Sequence, residues 1–307
     1  MPKPLPRTQN VFTRDGKPIV AKAPHLNGDY LPDSVGTALD LLGGLSKAIR
    51  PGDRVMVKPN FNCSYAFPLS TDRAFLAAAI EILHDAGAHV TVGEMCGRAD
   101  WPTEKVIRNL KIMPVLERYG VPFVNFEHDE WLPMEINSRY WQTIHVPRSI
   151  YEAEKRVYLA NMRCHSSARY TAALKLCVGF TSPDDRDYLH CDRPLTELKA
   201  PEINLAWQPD LVLLDGRRST VNWDGRGEYV FPNVIMASGD MVALDVEAVK
   251  ILQSYPGKNK IGGPAEELGQ IKVAAALGLG SLDYTVIEAA PHLRTEQESI
   301  HDPDAVW

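Results

Sequence analysis

The stretch ANMRCHSSARYTAALKLCVGF, residues 160–180, closes an apolar run on Cys164 and His165 and then sets one lysine, Lys175, among Ala, Leu, Cys and Val. A lysine placed this way buries its stem. Desolvation then lowers its pKa toward the range where an amine serves as a nucleophile or Schiff-base former. The plainer role is a side chain that snorkels to solvent or bonds a carbonyl. His165, with an ordinary pKa near ~6.5, has the chemistry of a proton shuttle; its plainer role is a strand-end histidine bonded to a nearby carbonyl. Fifteen residues beyond Lys175 come His190 and Cys191, within the polar run SPDDRDYLHCDRP. An imidazole and a thiol are ligands for a first-row metal, whereas a histidine in so polar a run also reads as a surface loop residue.

Other candidates sit where short apolar runs end. In open parallel sheets, ligands bind beyond the carboxyl ends of the strands. Lys58, Asn60, Asn62 and Cys63 follow one such run, and Glu94, Cys96 and Arg98 a second. Cys164 to Ser167, Asp215 to Arg218, and Ser238 to Asp240 follow three more. Singly, each has a structural role. The asparagines make turns, Asp215-Gly216 is a turn dipeptide, and Asp240 caps a helix for ~1 kcal/mol. Together, in a parallel sheet, they converge on a shared site. In that site Lys58, Asn60, Arg98 and Arg217 bind a carboxylate, the arginines in bidentate fashion. His165 transfers protons and Lys175 stabilises developing negative charge. His190, with Asp215 or His165, holds the metal, iron or nickel being the candidates.

These residues need a scaffold that brings strand ends together, and the hydrophobic pattern supplies one. Helical spacing runs over 32–49, 70–87, 102–120 and 263–280, with strands over 54–58, 88–94, 121–129, 156–165, 209–218, 233–238 and 284–289. The segment 170–180 is helical or coiled around a glycine. Alternation of this kind predicts an α/β fold: a mostly parallel sheet with helices on both faces, in two lobes around a central crevice. The expected division is an irregular arm over 1–30, a first lobe over 31–150 and a second over 151–307, with a hairpin-rich insertion over 127–155.

Bulk composition narrows the function. The 307 residues carry a net charge of −6, are 45% hydrophobic and 23% charged, and have a pI near 5.9. No basic stretch offers a phosphate-tracking surface, so nucleic acid is not an expected partner, and neither is an anionic membrane. No run reaches the ~20 apolar residues of a membrane span, and the Pro-rich start lacks a signal-peptide core. A cytoplasmic protein is expected. Five cysteines without close spacing read as reduced thiols, and the absence of CxxC predicts no iron–sulfur cluster. There is no P-loop, no dinucleotide fingerprint, no GxSxG and no HExxH. The partner expected is a small anionic substrate; a homo-oligomer is left open.

The run VMVKPNF, the later CHSSARYTAALKLCVGF, PDLVLLDG and VIMASGDMVALDVEAVKIL together resemble the domain-of-unknown-function 362 family, over roughly residues 50 to 255. The matching positions are Lys58-Pro59-Asn60, Arg163-Cys164-His165, Thr171 with Lys175, Gly179, His190, Asp215-Gly216, and Ser238-Gly239-Asp240 with Asp245. Arg163 stands where the pattern has lysine, and Leu176 where it has asparagine. The ferredoxin insertion of many members is absent. The order His165, Lys175, His190 is also similar to that of the nickel-pincer lactate racemase family, in which a histidine is the acid/base, a lysine tethers the pincer and a later histidine binds nickel. The Gly-rich surroundings of that tether lysine are missing around Lys175, so a tethered pincer is not expected; a crevice walled by the three residues is. The resemblances imply an enzyme, an isomerase or oxidoreductase, that moves a proton or hydride next to a carboxylate or carries out a metal-dependent oxidation. The alternative is a non-catalytic binding or redox-accessory protein.

Overall fold

The computed structural model describes residues 2–96, 101–222 and 229–290. The chain begins with a hairpin of β1 (Thr13–Arg14) and β2 (Lys17–Pro24), followed by α1 (Leu31–Leu41) and β3 (Arg54–Lys58). Next come α2 (Arg73–Asp85), β4 (His89–Glu94), α3 (Thr103–Asn109), α4 (Met113–Tyr119) and β5 (Phe123–Asn125). A second hairpin, β6 (Trp131–Glu135) and β7 (Thr143–Pro147), leads through α5 (Arg148–Tyr151) to β8 (Lys155–Asn161), β9 (Arg163–His165) and β10 (Arg169–Thr171). The remainder is α6 (Pro183–His190), α7 (Thr196–Ile203), β11 (Leu211–Gly216), β12 (Ser219–Thr220), β13 (Tyr229–Val230), β14 (Val234–Ser238), α8 (Met241–Gln253), α9 (Gly269–Ala276) and β15 (Thr285–Glu288).

One sheet of nine strands organises the molecule, in the order β1-β2-β14-β11-β8-β3-β4-β5, with β15 also on β2. Its centre is parallel: β11 on β8, β8 on β3, β3 on β4 and β4 on β5. Alternate residues feed two cores. Val55, Val57, Leu211 and Leu213 face the helices α1 to α4, while Met56, Val212 and Leu214 face the core shared with α7, α8 and α9. Helices on both faces and a mostly parallel sheet are therefore as the sequence pattern predicts.

Three expectations are corrected. Residues 1–30 are not an irregular arm, because β2 enters the sheet and pairs with β14. The turn that delivers it is Asp15-Gly16, with φ of 51° and 76°. Both values are positive, as a two-residue hairpin turn requires. The sheet is also not shared out between two lobes: β3 of the first half pairs directly with β8 of the second. Finally, β14 runs antiparallel to β11. The carboxyl end of β14 thus lies on the opposite edge of the sheet from those of β3, β4, β8 and β11. Ser238 and Asp240 do not join the other strand ends, and Asp240 caps α8 through Ala243 N at 2.9 Å.

Local breaks follow from residue type. The helix expected over 32–49 stops at Leu41, and the paired Gly43 and Gly44 turn the chain with φ of 92° and 98°. The helix expected over 102–120 is two, divided at Lys111, whose φ is +54°.

Candidate functional site

The carboxyl ends of β3 and β4 carry Lys58 and Glu94, and both side chains are buried completely. They form an ion pair, Nζ to Oε2. Lys58 also donates to the Pro59 carbonyl at 2.6 Å, and Glu94 Oε1 accepts from Phe61 N at 3.1 Å. Burial pushes the ammonium down and the carboxyl up, so each is drawn toward its neutral form except for the other's charge. Gly179 packs its Cα straight against the pair, and a side chain there would collide with both charged ends.

The segment carrying Gly179 is held in place from α8. Asp245 accepts from Tyr170 Oη at 2.9 Å, Ala173 N at 2.8 Å and Leu174 N at 3.2 Å. Burial raises its carboxyl to about 7. Asn204, just past α7, donates to Leu174 O at 2.9 Å. Lys175, the next residue, is thereby fixed facing inward. It is 7% exposed. Among the described residues its Nζ has neither a hydrogen-bond nor an ion-pair partner. Burial first, and the Arg163 guanidinium second, lower its pKa to about 8.

Arg186 comes from α6, which the sequence reading treated as a polar loop. Ser182 caps that helix by accepting from Asp185 N at 3.2 Å, and Pro183 opens its first turn. The Arg186 guanidinium turns inward and donates to the carbonyls of Cys96, Met95 and Val178. It therefore ties the helix to the end of β4 through carbonyls rather than a carboxylate.

A cavity of about 30 Å³ lies among these groups, lined by Asn60, Asn62, Glu94, Thr171, Lys175 and Arg186, with Leu176, Val178 and Gly179. That is room for about two waters, or for a carboxylate group. Several polar atoms at its edge are buried without a hydrogen-bond partner: Thr171 Oγ1, Asn62 Oδ1, Arg186 Nε and Glu94 Oε2, the last having only its ion pair. Buried polar atoms are normally bonded, so these four have hydrogen-bonding capacity that the described residues leave unused.

His165 lies on the ribbon of β9 and β10. Its Nδ1 accepts from Ala168 N at 3.2 Å and Ser167 N at 3.3 Å. With Nδ1 accepting, a neutral ring carries its proton on Nε2. Burial, then the charges of Lys175, Arg163 and His190, hold its pKa well below the usual value, so the ring is neutral. His190 is exposed at the end of α6, and its Nδ1 faces the Arg186 carbonyl at 2.8 Å. Burial of the ring edge, then Lys175, lower its pKa.

The other expected residues divide. Asn60 lines the cavity and donates through Nδ2 to Leu69 O at 3.2 Å. Lys58 does not line the cavity; it is committed to Glu94, which does. Arg217 is not available to a ligand carboxylate: it is bonded to Asp215 at 2.9 and 2.7 Å and to Asp72 at 2.8 Å. Arg98 lies outside the described residues. The metal set His165, His190 and Asp215 is not assembled, because Asp215 gives both oxygens to Arg217, and among the described residues no three His, Cys, Asp or Glu side chains group as ligands. A ring-based cofactor tethered to Lys175 does not fit either, since the cavity holds only a few heavy atoms. Glu94 and Arg186 are the additions the structure makes. Glu94 stood at a strand end in the sequence, whereas Arg186 carried no signal beyond the Ser182-Pro183 helix start.

The molecule is thus an α/β protein whose parallel strands end at a buried, cation-rich cavity. A family profile, domain of unknown function 362 (DUF362), matches residues 55–250, and the chain belongs to that family. A thylakoid-associated protein of Synechocystis is 25% identical over 251 residues, covering 80% of this chain and 77% of that one. Its name gives no support to the cytoplasmic location expected from the sequence. Among the described residues no helix is long and apolar enough to cross a membrane. Of solved structures, the lactate racemase apoprotein of Thermoanaerobacterium thermosaccharolyticum superposes with a TM-score of 0.50 at 12% identity, over 77% of this chain. The chain spans 56% of that racemase, and the likeness is one of fold. A protein of Thermotoga maritima gives a TM-score of 0.45 at 13% identity, over 83% of this chain and 60% of that one.

Proposed function

We propose that the chain is an enzyme that binds a small carboxylate in this cavity and moves a proton at the adjoining carbon. The observation that carries the reading is Lys175. A largely buried ammonium with no partner among the described residues is costly unless an anion completes it, and the orphan donors of Thr171 and Arg186 line the same cavity. A ligand carboxylate there accepts from Lys175 Nζ, Thr171 Oγ1 and Arg186 Nε.

Glu94 then has the chemistry of the base. Glu94 lines the same cavity, and burial raises its pKa toward the range useful for proton abstraction. The C–H bond of the carbon next to the carboxylate breaks, the proton passes to Glu94, and the electron pair delocalises onto the carboxylate oxygens as an enediolate. Lys175 and Arg186 stabilise that charge. His165, neutral with its proton on Nε2, donates a hydrogen bond to the same oxygens. Return of the proton completes the cycle without an oxidant or reductant. Incubation with short 2-hydroxy acids and dicarboxylates in D₂O tests this by proton NMR. Loss of the signal of the hydrogen next to the carboxylate is expected with wild type, and none with Glu94→Gln. Exchange that persists in Glu94→Gln removes Glu94 from the reaction, and no exchange by folded wild type contradicts the catalytic reading.

A further inference from the structure

The cavity has a second cation behind it. Arg163 on β9 pairs directly across the ribbon with Thr171 on β10. Cross-strand partners project to the same face with Cβ atoms ~4.5–5.5 Å apart. Thr171 lines the cavity, so Arg163 lies on that side too, and so does His165 two residues on. Arg163 is only 8% exposed. Its Nη1 donates to its neighbour's carbonyl, Cys164 O, at 3.3 Å, while its Nε is buried with no hydrogen-bond partner.

The surroundings of the cations differ in one respect. Lys58 has Glu94, and Arg186 lies near Glu94, Glu127 and Asp187. Lys175 and Arg163 have no carboxylate acting on them among the described residues; Lys175 has only the Cys177 thiol, and Arg163 only those of Cys63 and Cys164. They also repel each other. Two buried positive charges are therefore left over around one cavity. The cavity holds a single carboxylate group, and its half-buried lining residues Asn62 and Val178 mark where a longer ligand continues.

Resting on the reading of the cavity as an anion site, we propose that its ligand is a short dicarboxylate. One carboxylate sits on Lys175, Thr171 and Arg186, and the second pairs with Arg163. Acetate, malonate, succinate and inorganic phosphate, titrated calorimetrically at constant ionic strength, separate the outcomes. Malonate or succinate is expected to bind at least about tenfold more tightly than acetate, the effect of one further charge-assisted contact. Phosphate, with its charge on one compact group, is expected to bind no better than acetate. Arg163→Met is expected to bring the dicarboxylates down to the acetate level and leave acetate unchanged. Should that variant not fold by circular dichroism, Arg163→Lys serves: loss of the bidentate fork lowers the dicarboxylate-to-acetate ratio. Equal affinity of wild type for acetate and the dicarboxylates overturns the proposal while leaving an anion site in place, as does phosphate binding tighter than both dicarboxylates or a ratio unmoved in the Arg163 variants. Folded wild type that binds none of the four overturns the anion site itself.

Discussion

Two charge clusters lie beyond the carboxyl ends of the central parallel strands, one on β11 and one beside the separate β9–β10 ribbon. At the end of β11, Asp215 takes Nε and Nη2 of Arg217 at 2.9 and 2.7 Å, and Nη2 reaches Asp72 at 2.8 Å. Every charge there has an opposite charge in contact, and Phe67 covers the guanidinium at 5.2 Å. Beside the ribbon of β9 and β10, Lys175 and Arg163 are buried, and among the described residues no carboxylate acts on either. The first cluster is complete within the chain and joins β11 to α2. The second is incomplete within the chain and surrounds a cavity. Depth of burial alone does not separate structural charge from functional charge; the missing partner does.

The largest expected contrast is in stability. Asp215→Ala leaves a guanidinium that is 20% exposed with only the edge contact of Asp72. A broken buried pair of this kind costs about 3–5 kcal/mol, read from the urea midpoint, while the folded fraction keeps its anion affinity. Lys175→Met should act in the opposite direction. A pKa lowered from 10.5 to about 8, at ~1.4 kcal/mol per tenfold in the proton equilibrium, corresponds to a cost of about 3 kcal/mol for the charged, folded lysine. Removal of the charge should therefore stabilise the free protein by about 1–3 kcal/mol near neutral pH and abolish anion binding. A variant that is destabilised, or that binds acetate or malonate like wild type, breaks the comparison.

The pH dependence of the second cluster follows with its sign. Between pH 8 and 10.5 the unfolded chain holds the Lys175 proton and the folded one does not, so this lysine makes stability rise with pH through that window. Anion binding needs the ammonium, so affinity is full below about pH 8 and falls above it, by up to about tenfold per pH unit. Arg163 and Arg186 stay charged there; His165 and His190 are already neutral, and the Cys177 thiol, pushed up to about 12 by burial, does not interfere. Malonate titrations from neutral pH upward check this. The smallest effect is expected at His190. It is exposed, and among the described residues its hydrogen bond to the site is through the Arg186 carbonyl, so His190→Ala should change malonate affinity by less than about threefold, a loss of under ~1 kcal/mol. Stoichiometric nickel or iron in purified wild type that disappears in His190→Ala would instead restore a metal role for this residue.

The sequence made Lys175, His165 and the strand-end residues visible because burial and position leave signals: an apolar frame around one lysine, and polar groups where apolar runs stop. It also gave the α/β alternation, because parallel strands buried on both faces read as continuous apolar runs. It did not reveal strand direction. Nothing in VIMASGD states that β14 runs antiparallel, so Asp240 looked like a neighbour of the site until pairing placed it on the far edge. Nor did it reveal pairing among charges. Arg217 and Arg186 are alike in sequence, yet one is saturated by two carboxylates and the other is held by three carbonyls. The hairpin at Asp15-Gly16 was not part of that reading, in which the Pro-rich residues 1–30 formed an irregular arm.

Whether Lys175 is a cation that an anion completes is tested most directly by thermal melting. Wild type and Lys175→Met are melted near neutral pH, each with and without malonate at constant ionic strength. The variant should melt above wild type in the absence of malonate, and malonate should raise the melting temperature of wild type alone. A variant that melts below wild type, together with equal malonate shifts in both proteins, would contradict it.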